Sequence, residues 1–247
     1  MGGGTYNLAE GPHAIVVGGN RNDARGEGTV VGGGSYNTAD ADASTTFCVI
    51  AGGFTNAATS DFAVIGGGSL NSVKATFGVV SGGTTNVATG SYSSIGGGAT
   101  NVAGGAHAVI GGGANNVASA SMTVVVGGHN NTGKSTSAVI GGGSYNTADT
   151  SSTYCVIAGG YGNFAQSEAT VVAGGLQNSA TGDGGVVSGG TTNAATGSYS
   201  TIGGGTSNMA SGASSVIGGG ANNVASSVGA VVAGGDWNTV TGIYSAI

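Results

Sequence analysis

The residues able to hold a metal, move a proton or attack a carbonyl are few in this chain: three histidines, two cysteines and ten carboxylates among 247 residues. His13 and His107 occupy the same place in a repeated unit but lie six units apart, near 30 Å at the spacing of paired strands, roughly 4.8 Å per unit. His129 falls in a turn. A zinc centre or a Ser-His-Asp constellation needs its members within ligand or hydrogen-bond reach, so neither is expected. The many serines have no base beside them. Glycine triplets such as Gly66-Gly67-Gly68 look like phosphate loops, but no lysine and no helix follows them, and both are needed for that chemistry. No catalytic, metal or cofactor site is expected, and the chain does not read as an enzyme.

Cys48 and Cys155 also share one place in the unit, seven units apart, about 34 Å by the same strand spacing. A disulfide needs α-carbons within about 7 Å, so buried free thiols are expected. The remaining candidates lie where the repeat is interrupted. Asp40, Asp42 and Ser44 fall in one insertion, Asp149, Ser151 and Ser152 in another. Carboxylates clustered on a loop can take a cation, though solvated loops are the plainer expectation. Insertions in solenoids map to loops on one face, often the binding face. The two segments, Asp40–Thr46 and Asp149–Thr153, are therefore the expected recognition loops.

The elements that must position these residues follow from composition. Glycine occurs 56 times, proline once, and the net charge is −6. Disordered chains of low complexity are usually highly charged and poor in β-branched residues. This chain is only 6% charged and rich in Val, Ile and Thr, which favour strands. Four basic residues, Arg21, Arg25, Lys74 and Lys134, cannot build a phosphate-binding stripe, so nucleic acid is not an expected partner. No apolar run is long enough to span a bilayer.

An asparagine follows each glycine cluster, from Asn7 to Asn238, at fifteen-residue spacing. The exceptions are 19 residues (Asn37 to Asn56) and 17 (Asn146 to Asn163), where the insertions fall. Two glycines stand three and four residues before each Asn, Val or Ile stands six before it, and a small residue eight before it. Two after it stands Ala in thirteen of sixteen copies. The stretch of about 34–140 returns as 143–247, so a block of seven units was copied within one repeat domain.

Fifteen residues hold two short strands and two turns, and one such unit has no core. Stacked units pair like strands in register about 4.8 Å apart, and each rung then supports only its neighbours. An all-β parallel β-solenoid of sixteen rungs is the expected fold. A helix is excluded by its glycine load, which costs about 1 kcal/mol per residue against alanine. Collagen is excluded because glycine does not recur every third residue. The glycine pair supplies a turn with dihedrals that other residues avoid. The Asn is expected at that turn, bonding locally to backbone and tolerating positive φ.

Adjacent strand residues point to opposite faces. The Val and Ile columns are adjacent, so one faces the interior and the other faces out. The interface and core ladder is expected to comprise Val64, Ile65, Val79, Val80, Ile95, Val109, Ile110, Val139 and Ile140. A long outward stripe of Val marks an interface, hence association of several chains. Nine residues before the Asn stands a mixed aromatic column that includes Phe47, Phe62, Phe77 and Tyr92. Alternation places it on the Val face, as a rim packed against a neighbouring subunit.

The segment Ala88-Thr89-Gly90-Ser91-Tyr92-Ser93-Ser94-Ile95-Gly96 resembles the head repeats of YadA-like trimeric autotransporter adhesins. The likeness recurs at residues 195–203 and 210–218 and covers essentially the whole chain. It implies a two-strand left-handed β-roll and a parallel homotrimer around a threefold axis. It also implies a cell-surface address through an outer-membrane anchor in the full-length protein, and binding of matrix proteins, glycans or other surfaces. Related repeats occur in phage and viral fibres. This chain departs from the family's fourteen-residue period by an extra turn glycine, and it places a uniform Asn after the turn.

The expected function is thus a structural or adhesive head segment of a fibrous trimeric adhesin, attaching to host or abiotic surfaces. An ice-binding solenoid is the alternative; threonines cluster at Thr84-Thr85 and Thr191-Thr192, but no column is uniformly Thr. A structural phage-fibre or filament shaft is the third reading. Residues 238–247 and 2–7 together complete one unit, so the chain is expected to be a fragment of a longer fibre, or a tile able to stack end to end.

Overall fold

The computed structural model describes residues 3–39, 46–149 and 153–247, which fall into two compact units, Met1–Met122 and Thr123–Ile247. Each unit is a parallel β-solenoid, and the described residues contain no helix. Every strand is two residues long. Sixteen contain the residues just after the repeating Asn, and fifteen contain the branched pair.

In the first unit Ser72–Val73 pairs in parallel with Val87–Ala88, and Val87–Ala88 with Val102–Ala103. On the other side of the coil Val64–Ile65, Val79–Val80 and Ser94–Ile95 pair in the same way. The second unit repeats this: Ala194–Ala195 pairs with Met209–Ala210, and Thr201–Ile202 with Val216–Ile217. Residues fifteen apart are partners throughout these ladders. Both insertions leave the register intact: Thr38 still faces Ala57 and Thr147 faces Phe164.

Two-residue strands carry too few bonds to hold a rung, so the turns pair as well. Thr84 donates its N–H to the carbonyl of Gly98 at 2.9 Å, and Tyr92 donates to Thr76 at 2.9 Å. Nearly every backbone group of a rung is thus spent on its neighbour, which a narrow coil needs because buried unpaired amides are costly.

The core is narrow and built from five columns. In one rung these are Asn71, Val73, Ala75, Gly78 and Val80, all buried. Ile65, Ile95, Ile110 and Ile140 are fully buried, as are the small residues two positions before them, such as Ala63 and Ala108. Cys48 and Cys155 fill that small column as buried thiols that form no disulfide. The Cys48 thiol donates to the Ser60 carbonyl at 3.0 Å. Of the two branched columns, the one six residues before the Asn faces in and the one seven before it faces out.

Two expectations change. The repeating Asn bonds locally to its glycine turn, as Asn86 does to Gly82, but does not take the left-handed conformation. It is buried, and the residue just before it carries the positive φ, as at Leu70 (58°), Thr85 (58°) and Tyr145 (58°). The backbone must reverse one residue earlier so that the Asn side chain points into the turn. The aromatic column, nine before the Asn, is not on the Val face either. Phe62, Phe77 and Tyr92 have φ of 57°, 57° and 60°, so they occupy the second turn, where strand alternation does not apply. Non-glycine residues in this region cost about 1–2 kcal/mol each, and each donates its N–H to the preceding rung, Phe77 to Asp61 and Tyr92 to Thr76.

At the glycine turn the fit is tight at one position. Gly83 has φ of +87°, and a Cβ there would stand 2.1 Å from the carbonyl oxygen of Gly98. Only glycine allows consecutive rungs to approach this closely.

Candidate functional site

The outer surface of each unit offers two sheet faces and two edges, and charge separates the faces. On the sheet of the Asn strands, the outward positions hold Arg25, Lys74, Lys134 and Asp149. Arg25 pairs there with Asp23 at 2.6 Å and reaches Glu10 at 4.0 Å. The sheet of the branched pairs is different. Its outward ridge is Val64 and Val79, half-buried, and Val109 and Val139, exposed at 39% and 38%. Beside the ridge runs a column of mostly small residues, Gly66, Ser81, Gly96 and Gly111 in the first unit and Gly141 and Ala158 in the second, interrupted by the exposed Val17 and Val126. No charged residue stands in either column.

One edge is a ladder of rings. In the first unit Phe47, Phe62, Phe77, Tyr92 and His107 stack in sequence, with centroids 5.5, 4.7, 4.9 and 5.0 Å apart and planes within 17° of parallel. The solenoid pitch sets this spacing, which suits stacked rings. All five rings are exposed, with their edges to solvent and their faces on one another. In the second unit the same column reads Ser137, Tyr154, Ala169, Gly184, Tyr199, Ser214, Gly229 and Tyr244, mostly small residues with isolated tyrosines. A notch of about 230 Å³ lies beside Tyr199, lined also by Glu168, Ala169, Asp183 and Gly184.

The opposite edge, at the glycine turns, carries a second set of rings. Arg21 lies between Tyr6 and Tyr36, with its guanidinium carbon 5.5 and 5.3 Å from the two ring centres. It also donates to the Tyr36 hydroxyl at 2.8 Å. In the second unit Tyr145 meets His129 edge-on at 5.7 Å and Tyr161 at 5.4 Å.

Asp40, Asp42, Ser44, Ser151 and Ser152 of the expected recognition loops lie outside the described residues. Asp149 is half-buried and donates its N–H to Ala165 at 2.9 Å. At the far end of the first insertion, the Thr46 N–H and hydroxyl both donate to Asp61 Oδ1, at 2.8 and 3.2 Å. Phe47 and Tyr154 follow the two insertions within a few residues in sequence. Among the described residues no three His, Cys, Asp or Glu side chains group as metal ligands would.

Sequence reasoning missed the stacking of the ladder and the pairing of Glu168 with Asp183 on adjacent rungs. The signal was present in the column ten residues before the Asn, where these two stand fifteen apart. The chain matches no family model, and no curated protein is similar to it in sequence.

Proposed function

We propose that this chain is a structural and adhesive segment of a fibre, assembled from parallel copies of itself, as the head of a trimeric surface adhesin is. The observation that carries the reading is the uncharged outer sheet face, with its Val ridge beside a column of mostly Gly, Ala and Ser in which Val17 and Val126 also stand. Exposed apolar strips of this extent belong to interfaces. The strip spans on the order of 400 Å² in each unit at about 4.8 Å per rung.

The ridge and this column also choose the direction of packing. Rotating a second coil by half a turn about an axis parallel to its own brings its ridge onto the first coil's column of small residues. Turning it end for end sets ridge against ridge. Threefold packing about a parallel axis lets each ridge meet that column of the next chain, so a parallel trimer satisfies every strip. The likeness to YadA-like head repeats agrees with this arrangement and supports an extracellular address. The ring-bearing edge is left outward in such an assembly, available to a matrix protein, a glycan or an abiotic surface.

Light scattering of the purified chain tests the assembly. A mass near three times 22.9 kDa is expected, and a stable monomer at working concentration rejects it.

A second reading, ice binding, draws on one feature of the second unit. Thr181, Thr196, Ser211, Ser226 and Thr241 stand at the same outward position of five successive rungs on the Asn-strand sheet. Thermal hysteresis of the freezing point would favour that reading over adhesion.

A further inference from the structure

We infer that Tyr145 and Tyr161 form an oxidative coupling site. A one-electron oxidant of the peroxidase class, supplied with hydrogen peroxide, joins their rings as a dityrosine and staples two rungs of the second unit covalently. The site lies within one chain, so it does not depend on the adhesive reading or on assembly.

The geometry is set at the glycine-turn edge. Ser144 and Tyr161 are bridge partners on consecutive rungs, and Gly162 donates its N–H to the Ser144 carbonyl at 2.9 Å. Tyr145 stands one place before Asn146, and Tyr161 stands two places before Asn163. The two tyrosines are therefore diagonal neighbours. Gly162 holds the place one before Asn163, in the same column as Tyr145, and has no side chain to keep the rings apart. The ring centroids lie 5.4 Å apart with planes at 56°. Tyr145 is 50% exposed and Tyr161 49%, so an oxidant reaches both.

The same diagonal brackets the other insertion, where Tyr36 meets Phe54 edge-on at 5.8 Å. A ring pair thus accompanies the lengthened rung in both units, but only the second pair consists of two phenols. Among the described residues no other two tyrosine rings lie against each other. Arg21 stands between Tyr6 and Tyr36, and Tyr92 is stacked between Phe77 and His107. Tyr154, Tyr199 and Tyr244 belong to the column of the other turn.

In the coupling each phenol gives up one electron and its hydroxyl proton. The two phenoxyl radicals join through the carbons ortho to their oxygens. The hydrogens on those carbons then move as protons to the oxygens, which restores both rings. Two electrons and two protons leave in all, and they reduce one hydrogen peroxide to two waters. Reactants held side by side react as one molecule rather than by encounter, so this pair outruns every other tyrosine of the chain. The new bond closes a loop across the rung in which Asn146 and Asn163 are 17 residues apart. A crosslink that closes a loop restricts the unfolded chain.

The test treats the full chain, at high dilution, with hydrogen peroxide and a peroxidase. Dityrosine fluorescence should appear in material that still runs as a single chain on a denaturing gel. Peptide mapping should find Tyr145 joined to Tyr161 with the loss of two hydrogens. Tyr145→Phe and Tyr161→Phe keep the ring and remove the hydroxyl, and each should lower the fluorescence at least about fivefold, since the remaining tyrosines have no such proximity. Tyr92→Phe should leave it unchanged. In urea the wild-type chain should lose its preference for this pair. If the Tyr145–Tyr161 link remains the main product in urea, closeness in sequence explains it and the folded site is overturned. Links chiefly between other tyrosines, links chiefly between chains, fluorescence unchanged by both Phe variants, or no dityrosine at all overturn it too.

Discussion

The side-chain oxygen of Asn86 accepts the main-chain N–H of Asn101, fifteen residues on, at 3.0 Å. The same Asn86 amide donates to Gly82 O at 3.0 Å and to Gly98 O at 2.9 Å. Each buried Asn therefore ties its own glycine turn to the next one and caps the following Asn. Aspartate has the same shape but no donors. Asn86→Asp would set a carboxylate against two carbonyl oxygens in a dry interior. A loss of about 2–4 kcal/mol is expected, from two broken bonds and a buried charge. Chemical denaturation of this variant beside Asn86→Ala checks it, with the Asp variant the less stable.

Neighbouring glycines should differ sharply. Gly83 has φ of +87°, and a Cβ would lie 2.1 Å from Gly98 O and 2.6 Å from the Asn86 amide nitrogen. A Cβ on Gly82 would meet nothing within 4 Å, and its φ lies outside the left-handed range. Gly83→Ala should cost about 3 kcal/mol or more, by strain and clash together. Gly82→Ala should cost less than about 1 kcal/mol. Paired melting curves measure the difference.

Ser200 fills the small inner column and is fully buried, yet its hydroxyl makes no hydrogen bond. Thr170, in the same column, donates to Ser167 O at 3.0 Å. Alanine already holds this place at Ala63, Ala108 and Ala138. Ser200→Ala should raise stability by about 1 kcal/mol, since it removes an unsatisfied buried polar group and keeps the volume. A lower denaturation midpoint would show that the hydroxyl has a role in the core.

The Val ridge separates folding from assembly. Val109 points outward and is 39% exposed in the single chain, whereas its neighbour Ile110 is fully buried. Val109→Glu should leave the strand signal in circular dichroism intact and lower the solution mass to that of one chain, because an unpaired charge in an apolar interface costs several kcal/mol. Ile110→Ala should cost about 2–5 kcal/mol through the cavity it leaves. A Val109→Glu protein that keeps the mass of the wild type places the interface elsewhere.

The fifteen-residue spacing of Asn7 to Asn238 was enough to determine the rung, the parallel pairing and the fact that Val and Ile face opposite ways. Those properties follow from local periodicity, since a two-residue strand stacked in register repeats every column. The tertiary structure alone decided which turn residue reverses the chain. Asn and the residue before it are both compatible with a turn, and only the glycine carbonyls of two consecutive rungs, facing inward, draw the Asn inside and push positive φ onto Leu70 or Thr85. It also decided where the aromatic column lies. Phe77 reads as a strand residue two places before Val79, but the left-handed turn carries it round the corner to the edge, and the pitch then stacks it on Phe62 and Tyr92.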